Sequence, residues 1–415
     1  MAQQRRRHSS GERQARRPGS NALEKAGDSQ QSTGSRFKHG ILALVLVFFF
    51  LAWYFHYSRD PLASSLGGGE DLFYRDILKA ASRAPRVGAK RKLNGTVLAY
   101  VTPWNSKGYD MAKKFRHKLT HVSPVWYQLR RDDKGMSLAG KHDVDQGWIS
   151  EVRKQGFPLI VPRVVLEGWS LDSMLVSADE KQKAIKLILE ECKEQAYDGI
   201  VLEAWNSWAS YRILENHRLR EKALAFIREL GSSLHKLNAA SATRPLQLVL
   251  VIPPERGGGP EEFTRGDLHS LQHAVDGFSL MTYDFSNAYR PGPNAPLPWI
   301  RSCLNSLLAG KSNEVSSKIL MGINFYGNDY VLPRGGGAIV GDQFLELLKE
   351  YTPKLVWDSM NREHYFDYSK DQNKHRVYFP TAKSVTSRLE ESVSAGVGVS
   401  IWEIGQGLEH FFDLL

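Results

Sequence analysis

The sequence predicts an α/β protein: a closed (β/α)8 TIM barrel with a small α+β insertion near its seventh strand, preceded by a single membrane-anchor helix. From Gly95 onward, short apolar runs alternate eight times with amphipathic stretches over about 320 residues, which suits a barrel. The runs are apolar on both faces, so helices must cover the sheet on both sides, as parallel sheets require. The rival open doubly wound sheet usually announces itself with a glycine-rich phosphate turn after its first strand. Here "YVTPWNSKGYD" follows instead.

Residues 1–39 carry nine Lys/Arg against three acids, so six of the ten net positive charges lie there. With almost no large apolar groups, this segment reads as a disordered basic cytosolic tail. The high pI is therefore largely a tail property. No basic face with interleaved aromatics marks the body, which argues against a nucleic-acid partner.

Residues 41–55, "ILALVLVFFFLAWYF", carry no charge, and the tolerable span extends over 40–57. A helix crosses a bilayer with roughly 17–25 residues, so this run suffices as a transmembrane signal-anchor. The basic leader places the N-terminus in the cytosol. A signal-peptide h-region is the competing reading, although such leaders are usually brief, and "PLASSLGGG" (61–69) keeps cleavage open. Both readings expect residues 60–415 in the secretory pathway, as a single-pass type II membrane or secreted protein. Residues 58–93 form a stalk or linker in which "DLFYRDILKAA" (71–81) suggests a short helix. The sequon Asn94-Gly95-Thr96 is a candidate glycosylation site on the lumenal side.

The barrel domain is expected over 94–415. Its strand candidates are 96–101, 121–129, 158–165, 199–205, 246–252, 277–283, 318–325 and 397–403. The clearest helices are 177–195, opened by a Ser177/Glu180 capping-box pattern, 218–238 and 382–396. Residues 326–380 are too long for a plain loop and suit an insertion built on a hairpin. Cys192 and Cys303 fall in helical patterns: buried free thiols are one reading and a single disulfide the other. No metal-ligand spacing occurs, and no cofactor motif is present.

Barrel ligands meet the C-terminal ends of strands. The residues expected there are Trp104, Trp126, Tyr127, Trp169, Glu203, Trp205, Tyr283, Asp284, Tyr326, Trp402 and Glu403. Each aromatic alone suits core packing. Gathered at one end of several strands, they offer the flat apolar faces on which sugar rings stack, with acids and hydroxyls to fix sugar hydroxyls.

The fourth strand reads Asp198-Gly199-Ile200-Val201-Leu202-Glu203-Ala204-Trp205, the sixth ends Met281-Thr282-Tyr283-Asp284, and the eighth carries Trp402 in "GVSIWEIGQGLEHFFDLL". Taken together, residues 95–415 resemble a family-18 glycoside hydrolase, whose pattern is D-G-x-D-x-D-x-E, M-x-Y-D and a strand-eight tryptophan. The sixth strand is a full match. In the fourth, Asp198 and Gly199 are kept as a structural motif, Val201 and Glu203 replace two aspartates, and Trp205 stands at the acid position. The resemblance implies the barrel, oligosaccharide ligands of the chitin/N-acetylglucosamine type or anionic glycans, and a lysosomal, Golgi or extracellular setting. It also implies a scavenger or sorting receptor as a further partner.

An indole cannot protonate a glycosidic oxygen, and loss of a general acid costs ~10²–10⁴ in rate. By strand alternation, Glu203 and Trp205 both face the interior, with Glu203 roughly 6–7 Å deeper and Trp205 covering it. Glu203 is then placed to hold a sugar or to pair internally, rather than to protonate. The expectation is a catalytically inactive, lectin-like barrel. The alternatives are a residual hydrolase using Glu203 or Asp284, and a protein-docking platform contacting its receptor through 326–380.

Overall fold

The computed structural model describes residues 72–415, apart from 133–134, 169–171, 240–243, 258, 260–261 and 309–313. The expected tail, the anchor helix and the first part of the stalk, 58–71, lie outside the described residues, as does Trp169. Among the described residues no helix is long and apolar enough to cross a membrane.

Eight parallel strand positions close into a ring. The first, Val97–Val101, pairs with His121–Pro124 on one side and Gly398–Trp402 on the other. The second position resumes as Tyr127–Asp132, and the third consists of Leu159–Ile160 and Arg163–Glu167. Both are interrupted where the sequence suggested single runs. Pro124 and Pro162 sit at the breaks, and a proline cannot donate to the ladder. The remaining strands are Gly199–Glu203, Gln247–Ile252, Gly277–Leu280 and Ile319–Asn324.

Alternation sorts side chains into two cores. Leu98, Tyr100, Val125, Val161, Val201, Val249, Val251 and Leu320 fill the barrel interior, with Met281 and Trp402 packed on them. Their sequence neighbours, such as Ala99, Ile200, Leu202 and Leu250, face the helical layer. Helix Ala178–Glu194 is capped by the Ser177 hydroxyl, which accepts from Glu180 N at 3.3 Å. Helix Ala382–Ala395 starts on a Thr381/Ser384 capping box and stops at Gly396 in the left-handed region. Cys192 and Cys303 are both buried free thiols.

The insertion is larger than a hairpin. Strands Gly327–Leu332, Gly337–Ile339, Lys354–Asp358, Glu363–Lys370 and Asn373–Tyr378 form an antiparallel sheet, with helix Gly341–Tyr351 beside it. A lone two-stranded hairpin is marginal in water, and the extra strands and helix bury its apolar face. Phe344 stacks on Phe379 at 4.2 Å. Leu72–Phe73, from the segment read as stalk, adds an edge strand by pairing with Leu355 and Lys354. Helix Tyr74–Ala81 follows it, with Ile77 and Ala80 buried.

A buried ion pair ties the insertion to the barrel. Arg388 Nη2 lies 2.9 Å from Glu363 Oε1. Arg388 also donates to the carbonyls of Arg362 and Ser384 at 2.9 and 2.8 Å. Glu363 in turn accepts from Asn294 N at 3.0 Å and Ala295 N at 2.7 Å, on the loop that follows the sixth strand.

Candidate functional site

The fourth strand is anchored from below. Asp198 is fully buried and accepts from Ile160 N at 2.9 Å, while Arg153 and Arg244 approach it at 2.8 and 2.9 Å. Gly199 follows with φ +144°, where an added Cβ would lie 2.0 Å from the Gln247 carbonyl oxygen. This pair orders the strand's entry and stands at the end of the barrel opposite its mouth.

The strand's other end holds Glu203. Its Oε2 pairs with Arg163 Nη1 at 2.7 Å, and its side chain keeps 20% exposure. Arg163 projects inward from the third strand position. A lone arginine inside the apolar run "PLIVPRVV" was the available signal for it, and sequence reasoning passed it over.

Around this pair stand residues from the first, sixth and eighth strands. The Tyr100 hydroxyl donates to Ser279 at 2.9 Å, and Ser279 donates to Ser400 at 3.1 Å. The Trp402 ring, part-buried, lies 5.2 Å from Tyr100. Tyr283 is buried; burial pushes its phenol well above the usual value, and the nearby Tyr100, Glu203 and Asp284 add to this. Tyr283 meets Tyr326 edge-on at 6.3 Å, and the Tyr326 hydroxyl donates to Asp284. Asp284 adopts φ +59°, and its backbone N donates to Asn294 Oδ1 at 2.9 Å. The structure thus brings Glu203, Tyr283, Asp284, Tyr326 and Trp402 to one mouth.

Three expected stacking residues are not there. Trp126 is 0% exposed, and its Nε1 donates to the Tyr109 hydroxyl at 2.6 Å. Tyr127 is buried, with its hydroxyl 2.8 Å from both Glu191 and the Tyr197 hydroxyl. Both face the helical layer because the second strand position breaks just before them. Trp205 is the larger correction. The strand ends at Glu203 and helix Trp205–Ser210 begins, so two-residue alternation lapses. The indole is 0% exposed, edge-on to Phe263 at 4.9 Å, with the Arg220 guanidinium 5.0 Å above it. It does not cover Glu203. Asn94 is exposed just before the first strand, away from the mouth.

Glu403 faces the opposite side from Trp402 and is fully buried. Asn105 Nδ2 donates to its Oε2 at 2.6 Å, and Gly405 N to its Oε1 at 3.0 Å. A Cβ on Gly108 would lie 2.2 Å from Glu403 Oε1, so a larger residue there would displace this carboxyl. Burial pushes this carboxyl up to about 7, against the opposing hydrogen bonds from Gly405 and Asn105. The native state therefore keeps a proton that the unfolded chain, with its ordinary value of 4.5, has already released. Stability is expected to fall as pH rises from about 4.5 to about 7, by on the order of 3 kcal/mol. Urea unfolding across that range checks this, and Glu403→Gln should flatten the slope.

Among the described residues no group of His, Cys, Asp and Glu could hold a metal ion. The chemistry the mouth offers is that of a guanidinium, two carboxylates, phenols and a tryptophan face at the end of an apolar barrel.

Solved structures similar in fold include a chitinase from Chromobacterium violaceum (22% identity, TM-score 0.65, covering 77% of this chain and 97% of that one). Another is the Bacillus megaterium spore cortex-lytic enzyme SleL (20% identity, TM-score 0.63, 80% and 75% covered). A third is a Cycas revoluta chitinase in complex with (GlcNAc)3 (16% identity, TM-score 0.62, 76% and 97% covered). A cortical fragment-lytic enzyme from Bacillus anthracis is 29% identical over 150 residues, 34% of each chain. The match thus spans about a third of that curated relative's length. The family model for glycosyl hydrolases family 18 matches residues 96–407, and with the barrel and its strand-end residues in view, this chain belongs to that family.

Proposed function

We propose that this chain is a saccharide-binding barrel that does not hydrolyse its ligand, a chitinase-like lectin for N-acetylglucosamine-type oligosaccharides. One observation carries the reading: the fourth strand ends without a free acid. Trp205 is turned into the helical layer, and the one carboxyl at the strand end, Glu203, is held by Arg163. A general acid must reach the proton-accepting oxygen within hydrogen-bond distance, and an indole offers none. The Trp402 face above Tyr100, with Glu203, Asp284 and Tyr326 around it, suits a sugar ring bound by stacking and hydrogen bonds. The complex of the Cycas revoluta chitinase with (GlcNAc)3 supports this ligand class.

Titration calorimetry with chito-oligosaccharides tests the proposal. Trp402→Ala is expected to weaken binding by about 1.5–3 kcal/mol, roughly 10- to 150-fold. No reducing ends should be released. Undiminished binding in that variant counts against the site.

A second reading has its own support. Glu203 keeps a part-exposed carboxyl beside Tyr283, so a residual hydrolase using it is the alternative. Turnover that disappears in Glu203→Gln would promote it. A scavenger or sorting receptor would instead meet the insertion, where Val356 and Met360 are exposed. The lumenal setting proposed for all three follows from the apolar run at 40–57.

A further inference from the structure

The underside of the barrel, opposite the saccharide mouth, carries a concentration of positive charge that this function leaves unused. Residues 82–92, "SRAPRVGAKRK", contain five Lys/Arg and no acid. This strap has no helix or strand after Ser82, yet it is tied down along its length. Arg86 N donates to Asp413 at 2.9 Å and Gly88 N to His117 Nε2 at 3.1 Å. Lys92 N donates to the Leu415 oxygen at 2.7 Å. From beneath, the buried Lys118 ammonium donates to the Lys90 carbonyl at 3.0 Å.

These bonds set the strap against the turn Arg116–Lys118, which adds further cations. Arg83, Arg86 and Lys90 are exposed and Arg116 is half-buried; no ion pair engages these four among the described residues. Asp413 meets the strap through a backbone N–H, leaving the Arg86 guanidinium outside that contact. Burial and the adjacent Lys118 and Arg116 push the His117 imidazole down.

We infer that this strap and turn form a second binding site, for a linear polyanionic glycan bearing carboxylate or sulfate groups. The strap turns at Val87–Gly88, where Ala89 N donates to the Arg86 carbonyl at 3.3 Å, so it spans well under the ~40 Å of eleven extended residues and presents a compact basic patch to one stretch of a polymer. The strap's one large exposed apolar side chain is Val87, 58% exposed. An interfacial membrane segment would also bury an apolar face of Trp, Phe or Leu, which the strap lacks, so a polysaccharide fits better than a lipid surface.

The test uses the full chain in detergent with immobilised heparin and polygalacturonate as probes. Retention should fall steeply between about 50 and 200 mM salt, as released counterions require. The combined variant Arg83→Ser, Arg86→Ser, Lys90→Ser and Arg116→Ser removes only side-chain heads, so the backbone ties remain. It is expected to lose at least about tenfold in affinity and to show a shallower salt dependence. Its melting temperature and chito-oligosaccharide affinity should not change. A control with Arg218→Ser, Lys222→Ser and Lys236→Ser, on and beside another helix, should keep polyanion binding. The inference is overturned if neither polymer is retained, or if the control loses as much as the strap variant. It is equally overturned if phosphatidylserine vesicles or duplex DNA bind the strap while the glycans do not.

Discussion

Trp205→Ala is expected to lower the unfolding free energy by about 3–5 kcal/mol while leaving chito-oligosaccharide affinity within about twofold. The first number follows from burial: the indole has no solvent-facing edge and is packed between Phe263 and the Arg220 guanidinium. Truncation would leave a cavity that this neighbourhood closes only partly. Arg220 is itself fixed by Asp267 at 2.5 Å and by the Glu262 carbonyl at 2.7 Å, so it cannot swing in to fill the space. The second number follows from direction: the ring points away from the mouth. Urea denaturation and calorimetry on the same samples separate the two. A folded variant of near-native stability with lost sugar binding would mean that the indole serves as a ligand platform after all.

Arg388→Met is expected to cost a further large amount, about 3–5 kcal/mol, because it strands the buried Glu363 carboxylate. Burial already pushes that carboxyl upward, with Arg388 the leading influence in the other direction. The loss should reach the mouth as well. Glu363 holds the backbone of Asn294, and Asn294 Oδ1 receives the Asp284 N–H, so loosening one end loosens the loop that carries Asp284. Replacing both partners, as Arg388→Met with Glu363→Leu, removes the uncompensated charge and should recover much of the stability. A double-mutant cycle in urea measures the coupling. Additive single losses would show that the pair is not a unit.

Much of the barrel was legible because each strand position has a side facing packed helices and a side facing a packed interior, which leaves a continuous apolar run. The prolines at 124 and 162 were equally visible, yet their effect on strand continuity depends on ladder partners that the sequence does not display. Of the site, Tyr283, Asp284, Tyr326, Trp402 and Glu203 were readable from position at strand ends. Trp205 was misplaced because alternation was extended two residues too far, past the point where helical backbone begins. Trp126 and Tyr127 failed for a related reason: a broken strand restarts its phase. Arg163 was missed because it lies in the middle of an apolar run, and only its partner on the neighbouring strand explains it. The reach of the insertion was obscured because one of its strands, Leu72–Phe73, comes from a distant part of the chain.

The register that places Val97 beside Val399 joins the first and last strands across about 300 residues. At ~5–20 residues per second, synthesis separates them by roughly 15–60 s. Until the final strand emerges, the nascent cylinder is a gutter with a bare lip of unpaired backbone amides and carbonyls along Val97–Val101. Translation therefore exposes that lip for most of the chain's production, and whatever shelters it then, whether a chaperone or neighbouring helices, guards a seam open to mispairing.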